Sequence, residues 1–232
     1  MRATDFEFRH RSLLNLVHFW LAFQVYLIDK INVVWAIAPW TTPHGKLLAR
    51  LLFTGGMLLV GLAAGIRTWA AAYLRSRIVH DPSLHTERLV ADGPFRYTRN
   101  PLYFGTFLFS LGMGFLASRL GFVILVGGAA LRILRLIGRE EEQLGKSQQE
   151  PFRNYCARVP RLWPSLHAQI TPSGVEPRWS QAFFGEAPLW GFWVTMIAFT
   201  VTLRNNVAWG LGGATLLVWL FERIGARLRR VP

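Results

Sequence analysis

The chain has 232 residues, 52% of them apolar and 17% charged, and its 26 Lys and Arg against 13 Asp and Glu leave a formal net charge of +13. That much apolar content excludes a disordered chain, and so few charges cannot cover the surface of a water-soluble enzyme. One cysteine, Cys156, excludes an intramolecular disulfide and any Cys-based zinc or iron–sulfur site. A basic, apolar chain is a nucleic-acid binder or a membrane protein, and the positions of its charges decide between them.

The apolar residues fall into six blocks. Ser12–Ile28 is the first, without a formal charge but carrying Asn15, His18 and Gln24. Ile31–Trp40 reads as a re-entrant or interfacial continuation of it. Leu51–Ile66 is the second, extended backwards by Leu47–Ala49 and forwards, past Arg67, by Trp69–Leu74. Pro101–Ser118 is the third. Leu120–Leu131 is the fourth and runs on through Arg132 and Arg135 to Ile137. Pro188–Leu203 and Asn206–Phe221 are the last two. A membrane-spanning helix needs roughly 20 residues, and the shorter blocks reach that length if flanking Arg side chains snorkel to the interface. The expectation is an all-α, polytopic transmembrane bundle of about six spans.

Basic residues orient it. Arg2, Arg9 and Arg11 precede the first block; Arg75, Arg77, Arg88, Arg96 and Arg99 lie between the second and third. Arg139, Lys146, Arg153, Arg158, Arg161 and Arg178 lie between the fourth and fifth, and Arg223, Arg227, Arg229 and Arg230 follow the sixth. The alternate connections hold few: Lys30 and Lys46, then Arg119, then Arg204. The positive-inside rule places both termini and the two long connections in the cytoplasm. The charge excess is then a topology signal, and no nucleic-acid partner is expected. Ala36-Ile37-Ala38 resembles a signal-peptide cleavage site, but it lies beyond Asp29 and Lys30 and no cleavage is expected. Pro160, Pro164, Pro172, Pro177 and Pro188 punctuate the stretch after the fourth block, and Ile170–Arg178 reads as irregular.

Four constellations could carry chemistry. Gly93-Pro-Phe-Arg-Tyr-Thr-Arg-Asn-Pro-Leu-Tyr-Phe-Gly105 begins with a turn and feeds into the third block, with Asn100 as helix cap and Pro101 at the first helical position. Free backbone N–H groups there suit a carboxylate; the plain alternative is a membrane-entry cap with Arg and Tyr anchors. Glu140, Glu141 and Glu142 end the fourth block, either on the solvated face of a helix that continues past the membrane, with Arg135 and Arg139 one turn back, or as a site for a cation. Phe152, Tyr155 and Val159 are spaced as the stripe of a short amphipathic helix lying on the membrane. Arg67 sits at the edge of an apolar block, where it either snorkels or acts in a site. His80-Asp81 and His85 have no diagnostic metal spacing, and no metal is expected. Gly61-x-x-x-Gly65 and Gly112-Met-Gly114 read as close helix packing.

The stretch Gly93-Pro-Phe-Arg-Tyr-x-Arg-Asn-Pro-x-Tyr-x-Gly105 resembles the Gly-Pro-Tyr-Arg-x-x-Arg-His-Pro-x-Tyr-x-Gly motif of the integral-membrane methyltransferases, the isoprenylcysteine carboxyl methyltransferases and related phospholipid N-methyltransferases. Their second motif is matched in spacing by Glu140, Glu141, Leu144, Phe152, Tyr155, Val159, Arg161 and Pro164. Arg67-x-Trp69 also resembles bacterial members, so the likeness covers about residues 55–166. The chain departs from the pattern at Asn100 (His in the best-known members), at Phe95 and Phe152 (Tyr), and at Gln148-Gln149 (Phe-Gly). Asn cannot titrate near neutral pH, so its position can bind but cannot transfer a proton.

The resemblance implies S-adenosylmethionine as cofactor, held by Gly93, Arg96, Tyr97, Arg99, Asn100, Pro101, Leu102, Tyr103, Glu140 and Glu141 on the cytoplasmic side of a bacterial inner membrane. It implies a lipid or lipidated small molecule as methyl acceptor, with Tyr155 binding it and Arg67, Arg158 or Arg161 orienting it. Both an isoprenylcysteine-type carboxylate and a phospholipid amine fit as acceptor; a reductase of the same architecture and a non-enzymatic membrane protein are the remaining readings. The expected organisation is an N-terminal transmembrane helix and periplasmic connection (1–50), a methyltransferase-like core (51–166), a cytoplasmic connector (167–187), and a C-terminal transmembrane pair with a basic tail (188–232). The last two blocks lie outside the resemblance.

Overall fold

The computed structural model describes residues 2–39, 41–80 and 91–228, and side chains of these outside 75–80 and 221–228. Among them it is all helical. The helices are α1 (Asp5–Arg9), α2 (Arg11–Gln24), α3 (Val33–Ile37), α4 (Pro43–His80), α5 (Pro101–Gly114), α6 (Arg119–Arg158), α7 (Trp179–Thr202) and α8 (Asn205–Leu228). Three of them, α4 through Leu74, α6 and α7, are long and apolar enough to cross a membrane. The other three apolar blocks form α2 and α5, of 14 residues each, and α8 of 24.

α4 is the axis of the molecule, packing along α5 on one side and α7 on the other. Small residues permit the approach. A Cβ on Gly112 of α5 would stand 2.6 Å from the backbone oxygen of Gly56 on α4, and one on Gly61 would meet the Trp193 ring of α7 at 2.5 Å. Gly65 has open space beside it, so only the first half of the Gly61-x-x-x-Gly65 expectation is met. Val60, Met113, Leu125, Phe192 and Met196 form the central core. Phe53 and Phe199 add an edge-to-face pair at 4.9 Å. The outer faces carry Leu58 and Leu62 on α4, Val123 and Leu134 on α6, and Phe184 and Val201 on α7, all exposed. An outside this apolar suits hydrocarbon as solvent.

The first and third blocks form shorter helices than their uncharged lengths predicted. α5 ends at Gly114 and turns at once into α6, where the Ser118 side chain caps Gly121 N at 3.1 Å. The carbonyls freed by that turn are covered from the α2–α3 connection. Asn32 Nδ2 donates to Phe115 O and Ala117 O, each at 3.1 Å, and Tyr26 Oη donates to Leu116 O at 2.7 Å. Asp29 accepts from Leu120 N at 2.9 Å and pairs with Arg119 at 3.0 Å, placing negative charge at the positive end of α6. Ile31–Trp40, expected as interfacial or re-entrant, thus contains a short helix that docks this corner.

Two further expectations change. Pro188 begins no helix; it lies inside α7, which starts at Trp179 because Ala182 packs on Ala71 and Ala72 of α4. Nor do Phe152, Tyr155 and Val159 lie on the membrane. α6 breaks at Gln149, whose backbone is non-helical (φ 37°), and Pro151 follows. The last turns swing back over the protein and bury the stripe with Ala91 and Ile170. His80 and residues 81–90, including the His80-Asp81…His85 group, lie outside the described side chains.

Candidate functional site

The loop 92–100 is pinned before it feeds α5. Gly93 has φ +57°, and a Cβ there would strike the Tyr73 ring at 2.4 Å, so glycine is required on both counts. The buried Asp92 carboxylate accepts from Ser173 N at 2.7 Å, from Ser173 Oγ, and from Val175 N at 3.1 Å. Burial alone would raise its pKa; these hydrogen bonds outweigh burial and hold it below the usual range. Arg96 Nε donates to Ile170 O at 2.8 Å, and Ser165 N donates to Tyr97 O at 2.9 Å. Thr98 Oγ1 donates to Leu162 O at 3.0 Å and Arg99 N to Pro160 O at 2.9 Å. The segment 160–175 is therefore laced along the loop, and the two sequence motifs close on each other.

Asn100 stands at the cap position of α5, but its side chain makes no cap hydrogen bond. Its amide Nδ2 donates instead to Arg161 O at 2.8 Å, across the join between the motifs. The N–H groups of Leu102 and Tyr103 then keep no intrahelical acceptor, as at any helix start.

The three adjacent glutamates of α6, Glu140, Glu141 and Glu142, divide. Glu142 turns outward to Arg2 and Lys146, each at 2.9 Å. Glu140 Oε1 accepts from Tyr103 Oη at 2.8 Å and lies 3.6 Å from Arg11 Nη1. Glu141 pairs with Arg161 Nε at 2.8 Å and Arg99 Nη2 at 3.3 Å. The expectation of Arg135 and Arg139 as partners one turn back is not met: Arg135 reaches Glu7 at 2.8 Å and Arg139 reaches Asp5, both near the N-terminus.

Glu140 and Glu141 line a cavity of about 760 Å³, a size typical of small-molecule sites. Arg99, Asn100, Pro101, Leu102 and Tyr103 line it from the start of α5, Tyr155 from the end of α6, and Arg67 from α4. Gly93, Arg96 and Tyr97 do not; they build the loop, Tyr97 packing on Trp69 with ring centroids 5.8 Å apart. Arg158 is exposed, and Arg161 reaches the site only through Glu141. Arg67 neither snorkels nor stands free. Its guanidinium forks onto Glu186 of α7 at 2.9 and 3.1 Å and donates to Thr106 Oγ1 at 2.7 Å and Leu102 O at 3.2 Å.

Among the wall residues that escaped the sequence reading as site residues are Arg11, Asn15, Arg132 and Gln148. Arg132 carried the signal that singled out Arg67, an ionisable residue within an apolar run. A second cavity of about 550 Å³ adjoins the first, and Ser12, Asn15, Arg67, Thr106 and Arg132 belong to both walls. Phe109, Leu189, Phe192, Leu216 and Trp219 give it an apolar lining from α5, α7 and α8.

Residues 51–148 match the model of the phospholipid methyltransferase family. Over this segment, less than half of its length, the chain is similar to that family. The match takes in α4, the pinned loop, α5 and α6 up to its break, with both glutamates of the cavity. Over 122 residues, 53% of each chain, the protein is 31% identical to the cobalt-zinc-cadmium resistance protein CzcN of Cupriavidus metallidurans. Over 119 residues, 51% of this chain and 53% of the relative, it is 28% identical to the nickel-cobalt-cadmium resistance protein NccN of Alcaligenes xylosoxydans xylosoxydans. The chain thus spans about half the length of these curated relatives. No solved structure matches it.

Proposed function

We propose that the protein is an S-adenosylmethionine-dependent membrane methyltransferase acting on a lipid-like acceptor. One observation carries the reading: two motifs about forty residues apart in sequence close on a single cavity, where Glu140 and Glu141 stand beside the start of α5. The donor molecule has a carboxylate, an ammonium and a sulfonium, and the wall suits the first two. Leu102 and Tyr103 N–H and the buried, unpartnered Arg99 Nε are donors for a carboxylate. Gln148 Oε1 is buried without a hydrogen-bond partner, and Glu141 Oε1, ion-paired with Arg99 at 3.3 Å, makes no hydrogen bond; both offer acceptors to the ammonium or a ribose hydroxyl. When bound, the donor supplies an electrophilic methyl group on a cationic sulfur.

The protein's own part is alignment and exclusion of water. Tyr103 holds Glu140 in place, Arg99 and Arg161 hold Glu141, and Asn100 ties the two motifs. The acceptor's apolar part would lie between helices, in the second cavity. We place six spans in a bacterial inner membrane, with both termini and the cavity on the cytoplasmic side, because the basic residues gather there and the outer helix faces are apolar. The relatives' names speak of resistance to metal ions. Among the described residues no group of three His, Cys, Asp or Glu side chains comes together.

Two acceptor classes are consistent with this reading: an isoprenylcysteine-type carboxylate, which arrives ionised, and a phospholipid amine, which must first lose a proton. Purified protein incubated with methyl-labelled donor and a bacterial lipid extract tests it. Label in the lipid phase is expected; base-labile label denotes an ester and base-stable label an N-methyl group. No incorporation into any lipid would contradict the proposal.

A further inference from the structure

The junction of the two cavities carries two guanidinium groups, and they differ in one respect. Arg67 is neutralised by Glu186 and has further acceptors in Thr106 and Leu102. Arg132 makes one hydrogen bond, to Leu14 O at 2.6 Å, and its Nε is buried with no partner. No carboxylate stands within ion-pair distance of it among the described residues. The other arginines on the walls are all paired: Arg11 with Glu140, Arg67 with Glu186, Arg99 with Glu141. Arg132 lies eight residues before Glu140, about 12 Å along α6, so it sits in the apolar stretch and not at the helix end. A partly buried, uncompensated cation is costly there and is retained where an anion completes it.

Resting on the methyltransferase reading above, we propose that Arg132 seats an oxyanion of the acceptor, a carboxylate or a phosphate, whose single apolar chain lies in the cavity formed by α5, α7 and α8. The occupant is thus an anionic amphiphile. Ser12 and Thr106 hydroxyls and the Asn15 amide share the junction and are neutral, and the one carboxylate on the wall of the second cavity, Glu186, is taken by Arg67. The tail compartment uses Leu189, Phe192, Leu216 and Trp219, which lie beyond the family segment 51–148. The C-terminal helix pair thereby holds the acceptor's chain.

The test uses purified protein in nanodiscs and cis-parinaric acid, a fluorescent fatty acid, with its methyl ester as the neutral probe and empty nanodiscs subtracted. Native protein should bind the acid at least about tenfold more tightly than the ester, which is about 1.4 kcal/mol. Arg132→Gln should abolish that preference and Arg132→Lys should keep part of it, both variants eluting as the native protein does on size exclusion. Leu216→Trp should weaken both probes while keeping the preference for the acid. Displacement by dodecanoate or by dodecyl phosphate identifies the oxyanion. Equal binding of acid and ester to native protein, an unchanged preference in Arg132→Gln, or displacement by dodecanol as effective as by either anion would overturn the inference. Donor binding measured on the same preparation separates the two failures: a protein that binds S-adenosylmethionine but shows no anion preference loses only this inference.

Discussion

At the scale of single residues, the site depends on contacts that hold charged groups still. A Cβ on Gly105 would stand 2.5 Å from Arg67 Cγ, so Gly105→Ala displaces the guanidinium that braces the start of α5. Glu186 is buried and Arg67 is three-quarters covered. Removing one partner of such a pair leaves an uncompensated charge. Glu186→Ala should therefore lower stability by about 3 kcal/mol, read as a drop in thermal unfolding midpoint in detergent, with Glu186→Gln milder. Tyr103→Phe keeps the ring and removes the hydrogen bond to Glu140. It should lower stability by about 1 kcal/mol, the worth of one hydrogen bond, and on the methyltransferase proposal it should weaken S-adenosylmethionine binding by releasing Glu140 from its position. Sequence made Arg67, Tyr103 and Glu140 visible through composition and motif. It could not show Glu186 or Arg11, because their importance lies in partners 119 and 129 positions away.

Among the elements, the N-terminal α1 is an attachment clasped to α6. Glu7 accepts from Arg135 at 2.8 Å, and its side chain closes a capping box with Thr4. The Arg135 guanidinium, with help from Thr4, pushes the Glu7 pKa down to about 2. A carboxylate depressed in the folded state stabilises it above the unfolded pKa, and that contribution fades as pH falls toward the folded value. Native protein should thus lose thermal stability as pH falls below about 4.3, and Glu7→Gln should show a smaller loss across the same interval. The apolar blocks were legible because burial in hydrocarbon needs long uncharged runs. The fold-back after Gln149 was not: the spacing of Phe152, Tyr155 and Val159 fixes which face is apolar, and the break before them decides whether that face meets lipid or protein. Asn100 shows the same limit. Its type and position suit a cap, while the nearby Arg161 carbonyl takes its side chain.

For the whole molecule, the charge distribution makes a prediction about sidedness. His167 and His44 are exposed, on the long connection after α6 and at the start of α4. With Cys156 replaced by Ser, a cysteine at 167 should react with a membrane-impermeant maleimide only in inverted vesicles, and a cysteine at 44 only in right-side-out ones. Reaction of both from the same side would contradict the six-span arrangement. The methyltransferase proposal stands or falls on whether the cavity between the two motifs binds S-adenosylmethionine through Glu141. Calorimetric titration of the purified protein beside its Glu141→Gln variant measures this. Saturable one-to-one binding to the native protein is expected, with binding at least about tenfold weaker to the variant. Absence of binding to the native protein would contradict the proposal.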